Sequence, residues 1–102
     1  MSEITSLPER DEEHERLLAI LFSLSPAQAG VVSCLTRGVT ATTSQLQAYV
    51  GDKTPIKVAV SRARARMLDH EIDIMSRIHV GYWIEPVHQD KIKRMVDERF
   101  SA

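Results

Sequence analysis

Apolar residues recur along the chain first with a helical period and later with a strand period. Leu17, Leu18, Leu21 and Leu24 follow one another at helical spacing behind a polar stretch. That stretch opens at Pro8, suited to a first helical turn, and continues through Glu9 to Glu13, acids that suit the positive end of a helix. The pattern predicts a first helix, solvated early and apolar late. Ser25-Pro26 breaks it: Ser25 can cap a second helix and Pro26 can take its first position. That helix carries a stripe of Val31, Val32, Cys34 and Leu35, runs to about Arg37 and stops at Gly38. Thr42, Thr43 and Ser44 are alternative caps for a short third helix with Leu46, Tyr49 and Val50 as its apolar positions, ended by Gly51-Asp52. After Lys53, Thr54 and Pro55 comes the longest uninterrupted helical pattern, spanning about Thr54 to His70. The period then changes. Ile72 and Ile74 alternate with Asp73, and Val80-Gly81-Tyr82-Trp83-Ile84 is a β-rich run closed by Glu85-Pro86, which together predict a hairpin. Gln89 to Phe100 reads as a last amphipathic helix, with Ile92, Met95 and Val96 on one face and Lys91, Lys93 and Arg94 exposed.

The expected fold is therefore mainly α with a small β-hairpin. Two short helices, a longer one and a hairpin follow in the order of a winged helix-turn-helix, with extra helices at both ends. Residues 1–23 form the acidic N-terminal helix, 24–86 the winged helix-turn-helix domain and 87–102 the C-terminal amphipathic helix. With 102 residues, two Phe, two Tyr and one Trp, one aliphatic core is expected. Cys34 is the single cysteine and cannot form an internal disulfide, and the first residues lack a basic segment followed by an apolar run, so a cytoplasmic location is expected. The longest apolar stretch, Leu17 to Leu24, is far short of the ~20 residues that span a bilayer, so no membrane role is expected.

A formal net charge of −1 conceals a strong asymmetry. The first sixteen residues hold six acids (Glu3, Glu9, Asp11, Glu12, Glu13, Glu15) against Arg10 and Arg16, whereas residues 52–66 hold Lys53, Lys57, Arg62, Arg64 and Arg66 against Asp52. Phosphates respond to the field within about 10 Å at moderate salt, so a basic helix can serve a neutral protein. Placed at about 100° per residue, Ile56, Val60, Ala63 and Met67 of this helix share one sector, which should face the core. The opposite sector has Val58 and Ala65 at its centre and Ser61 and Arg62 beside them. Lys57 and Arg64 flank one edge, and Arg66 lies beyond the other. Small side chains along the middle let a helix sit deep in a major groove, where Val58 or Ala65 can touch a thymine methyl, while cations at the edges meet phosphates. Arg62 is the best candidate for a two-pronged bond to guanine. The expected partner is double-stranded DNA.

These residues resemble the OmpR/PhoB-type effector domain of bacterial response regulators. The recognition helix of that family follows V-x-I-S-R-L-R-x-K-L, and Val58-Ala59-Val60-Ser61-Arg62-Ala63-Arg64-Ala65-Arg66-Met67 is similar to it. Val80-Gly81-Tyr82-Trp83-Ile84 resembles the end of the family's wing, and Leu24-Ser25-Pro26 the start of its first core helix. The resemblance covers about Leu24 to Pro86. It implies that Arg62 and Arg64 contact DNA and that the wing tip near Ser76, Arg77 and His79 approaches a minor groove or its phosphates. In departure from those regulators, a stand-alone domain is expected, with no receiver domain. Where the family has Arg-Gly before the last strand, this chain has Ile78-His79.

Other chemistry finds little support. His14, His70, His79 and His88 lack tight metal-ligand spacing, no glycine-rich phosphate loop exists, and Cys34 sits on an apolar face, so neither a metal, a cofactor nor an enzymatic activity is expected. A homodimer through the terminal helices is expected, because one recognition helix reads only a few base pairs. The competing reading is a protein-binding winged-helix module, an inhibitor or co-regulator of another DNA-binding protein, whose acidic segment Glu9 to Glu15 docks on a basic partner.

Overall fold

Asp11 begins the first regular element of the computed structural model, which describes residues 7–51 and 53–101. Glu3 and Asp52, counted in the charge balances above, lie outside the described residues. The Asp11 carboxylate accepts from the His14 amide at 3.0 Å and caps helix α1, Glu12–Phe22. The helix thus starts four residues later than Pro8, because a side-chain cap satisfies a first-turn amide that Pro8 would leave free. Ser23, at φ 58°, ends α1 in a left-handed turn. Helix α2, Pro26–Thr36, then departs at a bend of 110°. Its start is a capping box: Ser25 Oγ accepts the Gln28 amide, and Gln28 Oε1 accepts the Ser25 amide. From Ala29 to Leu35 every residue of α2 is buried, because α1, α3, α4, α5 and β2 all pack around it.

Thr42 is the cap that helix α3, Thr43–Val50, uses, again in a capping box, here with Gln45, and Gly51 at φ 66° ends it. The following helix α4, Ile56–Leu68, lacks a side-chain cap of its own. Gln47 of α3 supplies the missing acceptor: its Oε1 takes the Ile56 amide at 3.0 Å and its Nε2 donates to the Thr54 carbonyl at 3.2 Å. One glutamine thereby fixes the turn of the helix-turn-helix. The buried sector of α4 comprises the expected Ile56, Val60, Ala63 and Met67, and extends to Ala59.

Strands β1, Met75–Arg77, and β2, Gly81–Trp83, pair antiparallel in the register Met75↔Trp83, Ser76↔Tyr82, Arg77↔Gly81. Ile72 and Ile74 alternate in burial as expected, but they precede the ladder. Opposite them the chain already turns at Glu85-Pro86 into helix α5, and side chains complete the bonding there. Asp73 N–H donates to His88 Nδ1 at 3.2 Å, and the Ile74 carbonyl accepts from Arg64. Ala41 adds a one-residue bridge to Tyr82, with N–H···O distances of 3.0 and 2.8 Å, so the hairpin is anchored to the segment between α2 and α3.

Helix α5, Pro86–Phe100, starts three residues ahead of Gln89, since Pro86 at its first position needs no acceptor. Ile92 is buried and Met95 and Val96 pack on the core, as the pattern predicted. Lys91 is not fully exposed: its Nζ donates to the His70 carbonyl at 2.6 Å and ties α5 to the end of α4. Trp83 is half-buried, and its indole N–H donates to Glu85 at 3.2 Å. Leu18 and Phe22 of α1 and Ile92 of α5 join one core cluster with the residues of α2, α3 and α4. The fold is mainly α with one small antiparallel hairpin, in the order that the sequence predicted for a winged helix-turn-helix with one added helix at each end. Among the described residues no single helix is long and apolar enough to cross a membrane.

Candidate nucleic-acid interface

Burial of one sector of α4 determines what the other can present. With Ile56, Ala59, Val60, Ala63 and Met67 inside, Lys57, Val58, Ser61, Arg62, Ala65 and Arg66 are all exposed. Val58 and Ala65 form a low ridge along the middle, flanked by longer polar side chains, as the helical projection predicted. Among the described residues, Lys57, Arg62 and Arg66 have no acidic partner within ion-pair distance. Their charge is therefore directed outward.

Lys57 also lines an open cleft between the helix-turn-helix and the hairpin. Its other walls are Thr42, Thr43 and Ser44 at the start of α3, and Ser76 to Tyr82 of the hairpin. Arg77 and His79 belong to this wall and are exposed, so the cleft brings together three of the residues expected to act: Lys57, Arg77 and His79. His79 sits at the tip with φ 66°, in the turn closed by the Val80 amide donating to the Arg77 carbonyl at 3.0 Å. Ile78 beside it is 82% exposed. Thr43 and Ser44 were legible in the sequence only as alternative caps. Because Thr42 takes the capping role, they open the first turn of α3, where amides lack intrahelical acceptors, and they line the same cleft as Lys57. A cleft with a helix start on one side and cations on two others suits an anionic backbone.

Arg64 stands apart from the other cations. Its guanidinium turns toward the hairpin, where Nε and Nη2 donate to the Ile74 carbonyl at 2.9 and 2.6 Å and Nη2 reaches Ser76 Oγ at 3.4 Å. Asp73 Oδ1 lies 3.7 Å from Nε. The side chain is half-buried.

The acidic segment is largely engaged within the molecule. Glu15 is buried and accepts both Arg10 Nε and Nη2, at 2.6 and 2.7 Å, while Arg10 Nη1 donates to the Tyr49 and Val50 carbonyls at the end of α3. The hydrogen bond that Arg10 donates to Glu15 holds the Arg10 pKa above its ordinary value. Glu13 pairs with Arg16, and Asp11 caps α1. Arg37 donates to the Glu9 carbonyl, the Tyr49 hydroxyl and Ser33, and the His14 ring bonds Ser33 Oγ at 2.7 Å. Burial, and then the Arg37 charge, push the His14 pKa below its ordinary value. Burial pushes the Cys34 thiol up to about 11, which leaves it a core side chain with little thiolate. Among the described residues no group of three His, Cys, Asp or Glu could hold a metal ion.

Comparison with protein-family models, with curated proteins and with solved structures gave no match to this chain.

Proposed function

We propose that the protein is a sequence-specific double-stranded DNA-binding transcription regulator that inserts α4 into a major groove and lays the β1–β2 wing along the adjacent backbone. The observation that carries this reading is the outer face of α4: a ridge of Val58 and Ala65 edged by Lys57, Arg62 and Arg66, none paired with a described acid. The cleft beyond Lys57 supports it, because the start of α3, Arg77 and His79 would meet the phosphates on the wing side. Arg62 is the residue assigned to base reading, and Lys57, Arg66 and Arg77 to phosphates. This function places the protein in the cytoplasm. It also calls for a homodimer through the terminal helices, on which Ile20 of α1 and Val87 of α5 remain exposed.

The test is binding to duplex DNA over a salt series, with the oligomeric state followed by light scattering. Replacing Lys57, Arg62 and Arg66 with Ala should weaken binding and flatten the plot of log affinity against log salt by about 0.9 for each phosphate no longer neutralised. Site selection from random duplexes should recover a preferred sequence for the native chain. Absence of binding at low salt, or an unchanged slope in the triple variant, overturns the proposal.

A further inference from the structure

The one cation of α4 that points away from the proposed DNA face is also the one that reaches the wing. The hairpin rests mainly on α2 through β2 and on Ala41 through its bridge, while α4 rests mainly on α2 and α3. Between Leu68 and Met75 the chain passes through Glu71 at φ 62° and a stretch without ladder bonds. Among the described residues, the hydrogen bonds that cross from α4 to residues 73–83 are all made by Arg64. They end on the Ile74 carbonyl, immediately before β1, and on Ser76 within it.

We propose that Arg64 is a positioning residue, not a DNA contact: it sets the angle of the wing against the recognition helix. The inference rests on the DNA-binding reading, and it departs from the contact role that the sequence resemblance implied for this arginine. The physical case is one of competing acceptors. The Ile74 carbonyl follows a buried side chain and finds no ladder partner, so the guanidinium is its donor. A guanidinium bound to this carbonyl through two nitrogens, with a carboxylate at 3.7 Å, has two of its three nitrogens and part of its charge already answered inside the protein. Moving it to a phosphate would strip that carbonyl of its partner. Arg62, two residues earlier, has no such commitment and is exposed, so the R-x-R pair divides into a reader and a brace.

The experiment compares Arg66→Ala, Arg64→Ala and Arg64→Lys in the full chain. DNA affinity is measured over a salt series, and amide hydrogen exchange is measured without DNA. For a brace, Arg64→Ala lowers affinity roughly tenfold while the salt slope stays at the native value, whereas Arg66→Ala, which removes a cation assigned to phosphate, lowers the slope by about 0.9. Hairpin amides from Met75 to Trp83 exchange faster in Arg64→Ala, and those of α1 and α2 stay at the native rate, which separates local release of the wing from general unfolding. If Arg64→Ala does not fold, Arg64→Lys carries the same comparison: it keeps the charge but presents a single nitrogen, so the hairpin still loosens. The proposal is overturned if Arg64→Ala flattens the salt slope and Arg64→Lys restores both slope and affinity, the behaviour of a phosphate-binding cation. It is equally overturned if hairpin exchange is unchanged. Should the native chain bind no DNA, the functional reading fails, and the exchange data alone decide whether Arg64 braces the wing.

Discussion

Gly81 is the point at which the wing meets the rest of the protein, and Gly81→Ala tests that attachment. The backbone there has φ +124°, and a Cβ built on it would lie 2.5 Å from the Ala41 carbonyl oxygen and 2.8 Å from its carbon. These are backbone atoms, so no side chain can rotate aside. The overlap is relieved only if β2 and the Ala41 segment separate, which forfeits the two bridge hydrogen bonds at 2.8 and 3.0 Å, each contributing about 1 kcal/mol. A non-glycine residue held in this backbone region costs on the order of 1 kcal/mol or more besides. The expected loss is about 3 kcal/mol, and at roughly 4–8 °C per kcal/mol for a domain of this size the melting temperature should fall by about 15 °C. Thermal unfolding followed by far-ultraviolet circular dichroism measures it, with Val80→Ala as a control at an exposed position of the same turn. A Gly81→Ala protein that melts within about 3 °C of the native one refutes the reasoning, since a shift that small amounts to less than 1 kcal/mol. The Ala41 bridge would then not hold the wing.

Two further outcomes follow from the polar network around α1. Arg10→Ala leaves the buried Glu15 carboxylate without its partner and frees the Tyr49 and Val50 carbonyls, but Arg10 is 39% exposed and solvent screens part of the pair. A loss of about 1–2 kcal/mol in urea denaturation is expected, and no change would show that the N-terminal segment contributes nothing to stability. The His14 pKa is lowered in the folded protein, chiefly by burial, so the unfolded chain takes up a proton that the native state resists. Its contribution to stability is complete above the ordinary value of 6.5 and is lost as the pH falls through the lowered folded value. Urea midpoints for native and His14→Gln proteins at pH values on either side of 6.5 check this, and the native midpoint should drop more on acidification. Equal drops would remove His14 from the account.

Periodicity, caps and glycine stops were enough to determine the local structure, because each acts within a few residues. The Ser25-Pro26 start of α2, the Gly38 and Gly51 stops, the core sector of α4 and the order of three helices and a hairpin were all legible in this way. Exposure of Lys57, Val58, Ser61, Arg62, Ala65 and Arg66 follows from the same projection, since burying one side of a helix turns the other outward. What the sequence could not contain is which acceptor each long polar side chain finds, because those acceptors are distant in the chain. Arg64 and Arg62 are alike in type and spacing, yet only Arg64 lies beside the Ile74 carbonyl, which takes no ladder bond. Glu15 belongs by sequence to an acidic run, but the path of residues 7–11 brings Arg10 against it and buries it. That Thr43 and Ser44 share a cleft with Lys57 likewise required the hairpin to be in place, because its residues form the other wall. Local bonding and one-sided burial wrote the elements into the sequence. Tertiary packing alone decided which charges were spent inside the fold and which were left for a ligand.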